Sequence, residues 1–222
     1  MRDWSGRRAF PRYPVVVPVL YATKKGDPSR SGAGWTCNLS EGGACLELSE
    51  QIDPSIPLSL LLRTDQGRVS IEGQVVWNKQ LGPAKGTIHG VAFDRAFSDR
   101  RRALRDLLDR KGMVWRAVVR VPIELPVICH PKGQPRSLHQ GRTENVSRRG
   151  LCLRLHLIIP PETPLEVTLQ TAHGPLTAEG AIVRVEPLEA QIPGEPIRHG
   201  FRFTEIRCPT AMTLSRVLAE AA

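Results

Sequence analysis

Asn38-Leu39-Ser40-Glu41-Gly42-Gly43 returns later in the chain as Asn145-Val146-Ser147-Arg148-Arg149-Gly150. The shared frame is Asn, one residue, Ser, two residues, Gly, at an offset of 107. Asn, Ser and Gly favour turns because their side chains bond nearby backbone groups or permit unusual dihedrals. A tight turn used twice is the plainest account of the stretch. A second element separates the repeat from coincidence. Arg8 and Arg12 precede the first turn, and Arg116 and Arg120 precede the second, each pair at a spacing of four.

The duplication extends over most of the chain. Arg8, Arg12, Pro14 and Pro18 align with Arg116, Arg120, Pro122 and Pro126 at an offset of 108. Cys45 aligns with Cys152, and Gly73-Gln74-Val75-Val76 with Gly180-Ala181-Ile182-Val183, at 107. His89-Gly90-Val91-Ala92-Phe93 aligns with His199-Gly200-Phe201-Arg202-Phe203 at 110. The drift falls in loops, chiefly the Pro-rich stretch Pro187 to Ile197. A fixed period of this kind marks a repeated structural unit, and it divides the chain into domains at 1–112 and 113–222.

Each unit reads as short strands and one closing helix. The first has candidate strands at Val15–Ala22, Trp35–Asn38, Ala44–Leu48, Leu58–Arg63, Val69–Trp77 and Thr87–Phe93. Alternation places Ala44, Leu46 and Leu48 on one face and Cys45 and Glu47 on the other. After Phe93 the period changes. Ser98 is a helix cap, Leu104, Leu107 and Leu108 share a helical face, and Gly112 ends the helix. The second unit has strands at Ile123–His130, Leu151–Leu155, Leu165–Leu169, Thr177–Val185 and Gly200–Phe203, then a helix opened by Pro209 with Leu214, Val217, Leu218 and Ala221 on one face. Six short strands and a helix, twice, predict an all-β fold with terminal helices: two six-stranded antiparallel barrels in tandem, each followed by one α-helix.

Composition narrows the function classes. The chain has 222 residues, a net charge of +9 and a pI near 9.9, and both halves are basic, which points to an anionic partner. Five cysteines without a C-x-x-C spacing read as reduced thiols, neither a disulfide framework nor a zinc site. No apolar run reaches the roughly 20 residues that span a bilayer, and the N-terminus lacks a signal-like apolar core. These features predict a cytoplasmic protein without membrane insertion. No P-loop, nucleophile elbow, H-E-x-x-H or acid–base pair stands out, so no catalytic residue is expected and the chain reads as a non-enzyme. His89 and His199 read as strand-end residues, without neighbours at metal-ligand spacing.

The paired motifs carry the remaining chemistry. Pro11 keeps Arg8-Ala9-Phe10-Pro11-Arg12 out of a helix and in an entering loop. An arginine fork clamps phosphate oxygens, pairs with a guanine edge or stacks on a base. An Asn amide offers a donor and an acceptor, a Ser hydroxyl adds a bond, and Gly permits close approach. R-x-x-x-R followed by N-x-S-x-x-G resembles the signature of the PilZ family of bacterial cyclic di-GMP receptors, where the first motif residue after the arginines is Asp or Asn. The chain satisfies it twice, through Arg8, Arg12, Asn38, Ser40 and Gly43 and through Arg116, Arg120, Asn145, Ser147 and Gly150, so it is similar to a tandem PilZ protein.

The resemblance implies a six-stranded barrel with a C-terminal helix. It also implies a ligand with two phosphates and two guanines, bound by the arginine loop and the turn. Arg7 precedes the first arginine pair and Trp115 the second, a contrast that in the family accompanies two stacked ligands against one. Trp77 and Arg184 align at the end of a long strand, and each can cover a guanine face. The expected ligand is cyclic di-GMP, no cofactor or metal is expected, and an unidentified downstream protein receives the signal, transmitted as an interdomain or partner-binding change. The alternative is a basic nucleic-acid-binding protein, including a ligand-controlled DNA-binding regulator. The charge favours it. An aromatic content of 5% and the lack of an aromatic ladder count against it.

Overall fold

The computed structural model describes residues 10–24, 29–65, 67–82, 86–94, 104–109 and 118–221. Arg7, Arg8, Arg116 and Trp115 lie outside them, as do Ser98 and Gly112 at the two ends of the first predicted helix. The chain divides into two compact units, Met1–Val119 and Arg120–Ala222.

The first unit is a closed antiparallel barrel. Its strands are β1 (Pro18–Thr23), β2 (Ser31–Ser40), β3 (Gly43–Leu48), β4 (Pro57–Thr64), β5 (Gly67–Gln80) and β6 (Thr87–Phe93), in the order β1-β2-β3-β6-β5-β4 with β4 returning to β1. Closure leaves no free edge to template aggregation. Alternation fills the interior: Ala44, Leu46 and Leu48 from β3, Leu58, Leu60 and Leu62 from β4, and Val19 and Tyr21 from β1 are buried together. A helix, α1 (104–109), adds Leu104, Leu107 and Leu108 to the same core. The spacing three and four places these side chains on one face.

The second unit repeats the plan. A short β7 (Val121–Pro122) leads into β8 (Pro126–Pro131), β9 (His139–Ser147), β10 (Gly150–Leu155), β11 (Pro164–Thr171), β12 (Gly174–Val185) and β13 (Ile197–Glu205). Pairing runs β8-β9-β10-β13-β12-β11 and closes through β11 on β8, with β7 added beside β9. Cys208–Glu220 forms α2, with Leu214, Val217 and Leu218 buried and Pro209 in its first turn. The two predicted six-stranded barrels and the closing helix are thus observed. Strand β9 is the element that periodicity did not find. Its sequence, HQGRTENVS, is mostly polar and shows no alternation. It forms because both edges pair, to β8 and to β10.

One buried threonine holds each barrel entry and one buried histidine holds the segment that follows β3 or β10, and both match between the units. Thr36 Oγ1 accepts from Val17 N at 2.9 Å and donates to Val15 O at 2.6 Å. Thr143 Oγ1 accepts from Leu125 N at 2.9 Å and donates to Ile123 O at 2.6 Å. His89 and His199, expected at strand ends, lie inside the fold and are fully buried. The Nδ1–H of His89 donates to Thr87 O, and Nε2 accepts from Ile52 N at 3.0 Å. His199 does the same with Ile197 O and with Ile159 N at 3.1 Å. Because a carbonyl only accepts and an amide only donates, these partners fix the neutral Nδ1–H tautomer. A proton on Nε2 would face an amide donor.

Burial is the main cause that lowers the pKa of both histidines, opposed by their carbonyl partners. A lowered folded value means the unfolded chain binds protons first. The stabilisation is therefore fully present above the ordinary value of 6.5 and is lost as pH falls from there through the lowered folded value. His89→Leu and His199→Leu each leave a buried amide without an acceptor, at a cost of about 1–3 kcal/mol at pH 7.5. Urea unfolding at pH 7.5 and pH 5 will show a smaller pH-dependent loss in the double variant than in wild type.

Candidate functional site

Each barrel brings its arginine segment onto its own turn by backbone pairing. Tyr13 pairs with Leu39, with Tyr13 N to Leu39 O at 2.8 Å and Leu39 N to Tyr13 O at 2.9 Å. Val121 pairs with Val146 and Pro122 with Asn145. Arg12 and Arg120 are the residues just before these pairs. They are thereby fixed beside Asn38-Leu39-Ser40 and Asn145-Val146-Ser147. Both arginines are exposed. Arg120 Nη1 donates to Asn145 Oδ1 at 3.2 Å.

The turn itself is a two-residue hairpin, Glu41-Gly42 between β2 and β3 and Arg148-Arg149 between β9 and β10. Ser40 Oγ donates to Gly43 O at 3.0 Å, and Ser147 Oγ to Gly150 O at 2.8 Å. Both serines are buried. A Cβ on Gly43 would lie 2.3 Å from Val91 O, and one on Gly150 would lie 2.1 Å from Phe201 O. Glycine is required there for strand-to-strand approach, a demand of the fold. Ser and Gly thus shape the turn, and Asn is the residue it presents. Asn38 Oδ1 is buried and has no hydrogen-bond partner among the described residues, a state that costs free energy unless a donor meets it.

A β-bulge precedes the motif Asn in each unit. Cys37 is the extra residue opposite β3, and Glu144 is the extra residue opposite β10. A second pair of bulges sits at Val76 and Val183, ahead of Trp77 and Arg184. Bulges re-aim side chains and concentrate beside binding sites. Here the second bulge sets Val76 and Trp77 along one groove, and the first sets Asn38 two residues before Ser40, which lines it. That groove opens to solvent and is lined by Phe10, Arg12, Ser40, Gly43, Val76 and Trp77. Trp77 is 40% exposed, so it is not a core aromatic at the barrel end.

Sequence reasoning passed over several residues of this groove. Phe10 lies on the turn, since a Cβ at Gly42 would meet its ring at 2.7 Å. Gly90 seats Trp77: a Cβ there would lie 2.0 Å from Trp77 Nε1. The repeated His-Gly pair was the available signal. Arg105 on α1 grips the turn through Glu41, with Nε to Oε1 at 3.2 Å and Nη2 to Oε2 at 2.7 Å.

The second site sets its described arginines among carboxylates. Arg184 pairs with Gly200 as Trp77 pairs with Gly90. Arg198 Nε donates to Glu144 Oε2 at 2.6 Å, and its Nη1 lies 3.5 Å from Glu186 Oε1. Arg198, Arg120 and Arg184 all lie within electrostatic reach of Cys152, which registers with Asn145. Burial nevertheless raises the Cys152 thiol, with Glu144 adding to the effect. Among the described residues no cluster of His, Cys, Asp or Glu is arranged to hold a metal ion. No helix among them is long and apolar enough to cross a membrane.

Comparison with known proteins gives the family. The PilZ domain matches residues 6–110 and again residues 115–220. None of the curated proteins matches the chain in sequence. Among solved structures, the chain is similar to the Bacillus subtilis inhibitor of motility MotI/DgrA, at 10% identity and a TM-score of 0.39, covering 90% of this chain and 93% of that one. It is similar to Borreliella burgdorferi PlzA in complex with c-di-GMP, at 12% identity and a TM-score of 0.41, over 90% and 85% of the two chains. Escherichia coli YcgR in complex with c-di-GMP gives 12% identity and a TM-score of 0.36, over 90% and 81%.

The Trp77 seat is open to direct test. Gly90→Ala will push the indole off β6 and shift the tryptophan emission relative to wild type, with Trp77→Phe identifying the component. Gly200→Ala will leave the spectrum and the stability near wild type, because the nearest atoms to its Cβ are at 3.5 Å.

The two matches cover most of the 222 residues, and the chain belongs to the PilZ domain family, with two such domains in tandem.

Proposed function

We propose that the chain is a cyclic di-GMP receptor that binds the dinucleotide in both domains and passes the signal on through a change between domains or toward a protein partner. The observation that carries this reading is the paired placement of Arg12 beside Asn38 and of Arg120 beside Asn145 on equivalent barrels. Family membership supports the ligand.

In the first domain, Arg7, Arg8 and Arg12 engage phosphate and the guanine edge. Asn38 supplies the unpartnered Oδ1 to a guanine N–H, and Trp77 covers the base face. Ser40 and Gly43 act by holding the turn while lining the groove. In the second domain, Arg116 and Arg120 take the same part, with Asn145, Ser147 and Gly150 at the turn. Arg184 replaces the indole with a guanidinium that stacks as a cation–π partner. For binding, Arg116 and Arg120 belong to the second module, 113–222. They stand in sequence immediately after the first, 1–112, so a ligand held by them is bound next to the segment that connects the two modules.

Arg120 and Asn145 already bond each other in the free chain, whereas Asn38 Oδ1 has no partner among the described residues. The second site therefore gives up this internal bond on binding. Calorimetric titration with cyclic di-GMP is expected to show binding in both domains. Arg12→Ala with Asn38→Ala will weaken only the first by tenfold or more, and Arg120→Ala with Asn145→Ala only the second. Unchanged affinity in both double variants would remove the proposal.

A further inference from the structure

We propose that Cys37 and Cys45 are a reversible dithiol–disulfide pair beside the motif residue Asn38 of the first domain, a peroxide-sensitive modification site that the second domain lacks. The bulge in β2 makes Cys37 and Asn38 together oppose Cys45 on β3. Residues opposed across an antiparallel ladder sit about 4.5–5.5 Å apart at Cα, within the span of roughly 4.4–6.8 Å that a disulfide bridges. Ala44 and Leu46, the chain neighbours of Cys45, point into the core, so Cys45 lies on the opposite face with the bulge, where it is 7% exposed and Cys37 is half-buried. The Cys37 and Cys45 thiols are already in hydrogen-bond contact, and the Arg12 guanidinium lies close by. That contact first, and Arg12 after it, hold the Cys45 thiol below its ordinary range against the opposing effect of burial.

The other thiols lack this setting. Cys129 is fully buried, and burial pushes it up to about 11. Cys152 is the repeat counterpart of Cys45, but its thiol is raised and the bulge beside it carries Glu144 in place of a cysteine. Cys208 lies on α2. A thiolate beside a cation with a second thiol in contact is the arrangement that redox-sensing cysteines use.

The chemistry balances with hydrogen peroxide as the two-electron oxidant. The Cys45 thiolate attacks one peroxide oxygen, the O–O bond breaks, and hydroxide leaves and takes up a proton as water. Cys45 is left as a sulfenic acid. The Cys37 sulfur then attacks Cys45 Sγ, and the S–O bond breaks. The departing hydroxide takes the Cys37 proton and leaves as a second water. A dithiol reductant reverses the product by exchange. The disulfide removes the Cys45 thiol that lies near Arg12 and draws Cys37 toward it across the face next to Asn38. Oxidation therefore weakens ligand binding at the first groove; this consequence rests on the function proposed above.

The test uses the full chain. Reduced protein is treated with a small excess of hydrogen peroxide, blocked, and digested with an endoproteinase that cuts after glutamate, which separates the cysteines at Glu41. Peptides bearing Cys37 and Cys45 are expected to be linked, and to be released by dithiothreitol. Cysteines 37 and 45 remaining as thiols, being carried to sulfinic acid, or pairing with Cys129, Cys152 or Cys208 would overturn the site. The coupling is read in the Arg120→Ala with Asn145→Ala background, where the first groove alone binds. Oxidation should weaken cyclic di-GMP binding at least threefold, reversibly, and should do nothing once Cys37→Ser is added. A mapped disulfide with unchanged affinity defeats the coupling. Failure of the reduced wild type to bind cyclic di-GMP defeats the receptor reading, while the peptide map still decides the thiol pair.

Discussion

Everything at the two candidate sites depends on how the chain is fastened where it enters each barrel. A threonine buried without exposure, Thr36 in one unit and Thr143 in the other, accepts from one backbone amide and donates to one carbonyl of the entering segment. Leaving a buried backbone group unpaired costs about 1–3 kcal/mol, so each hydroxyl secures two such groups at once. The ladder then continues to Tyr13 on Leu39 and to Val121 on Val146. A segment that would otherwise be free is held against the strand that carries the motif Asn. Among the described residues, the arginine preceding that ladder is placed without a salt bridge of its own that would have to be broken by a phosphate. This is a cheap way to preorganise a cation: the backbone bears the ordering cost during folding, and the guanidinium stays hydrated and exposed.

The repeat made the architecture readable before any coordinates. Alternation in Ala44–Leu48 and the apolar face at Leu104, Leu107 and Leu108 gave core positions that are in fact buried. Strand β9 escaped because its side chains do not announce it. Glu144, Arg142 and Gln140 satisfy the surface, and pairing on both sides supplies the reason to be a strand. Only its position opposite β2 in the duplication pointed there. The same limit applies to His89 and His199. A sequence shows two histidines beside glycines, but not that Ile52 N and Ile159 N arrive at their Nε2 atoms from elsewhere in the fold. At the site, the motif residues were legible as a set but not as individuals. Ser and Gly looked outward-facing, while the hydrogen bond from Ser40 to Gly43 and the Val91 carbonyl over Gly43 turn both inward. Phe10 and Gly90 were unmarked because their importance is a matter of contact, and contact is not written in spacing.

The two domains share a backbone and differ in the side chains placed on it. The four bulges beside the two motifs fall at matching positions, so pairing fixes where the chain buckles there whatever residue stands at the bulge. At one of these positions valine is kept in both, Val76 and Val183. At the other the residues part, Cys37 against Glu144. The change has consequences beyond one side chain. Glu144 holds Arg198, and with Arg120 and Arg184 it sets a field of alternating charge around Asn145. In the first domain Phe10 and Trp77 give the groove apolar walls, with Arg12 as a described cation beside them. A guanidinium and an indole both cover a purine, but the guanidinium brings charge and salt sensitivity and the indole brings area. Identical frames can therefore present one ligand class with unequal strength and unequal response to conditions. A bulge residue is the position where such divergence costs the fold least, because it makes no ladder bond that a new side chain could disturb.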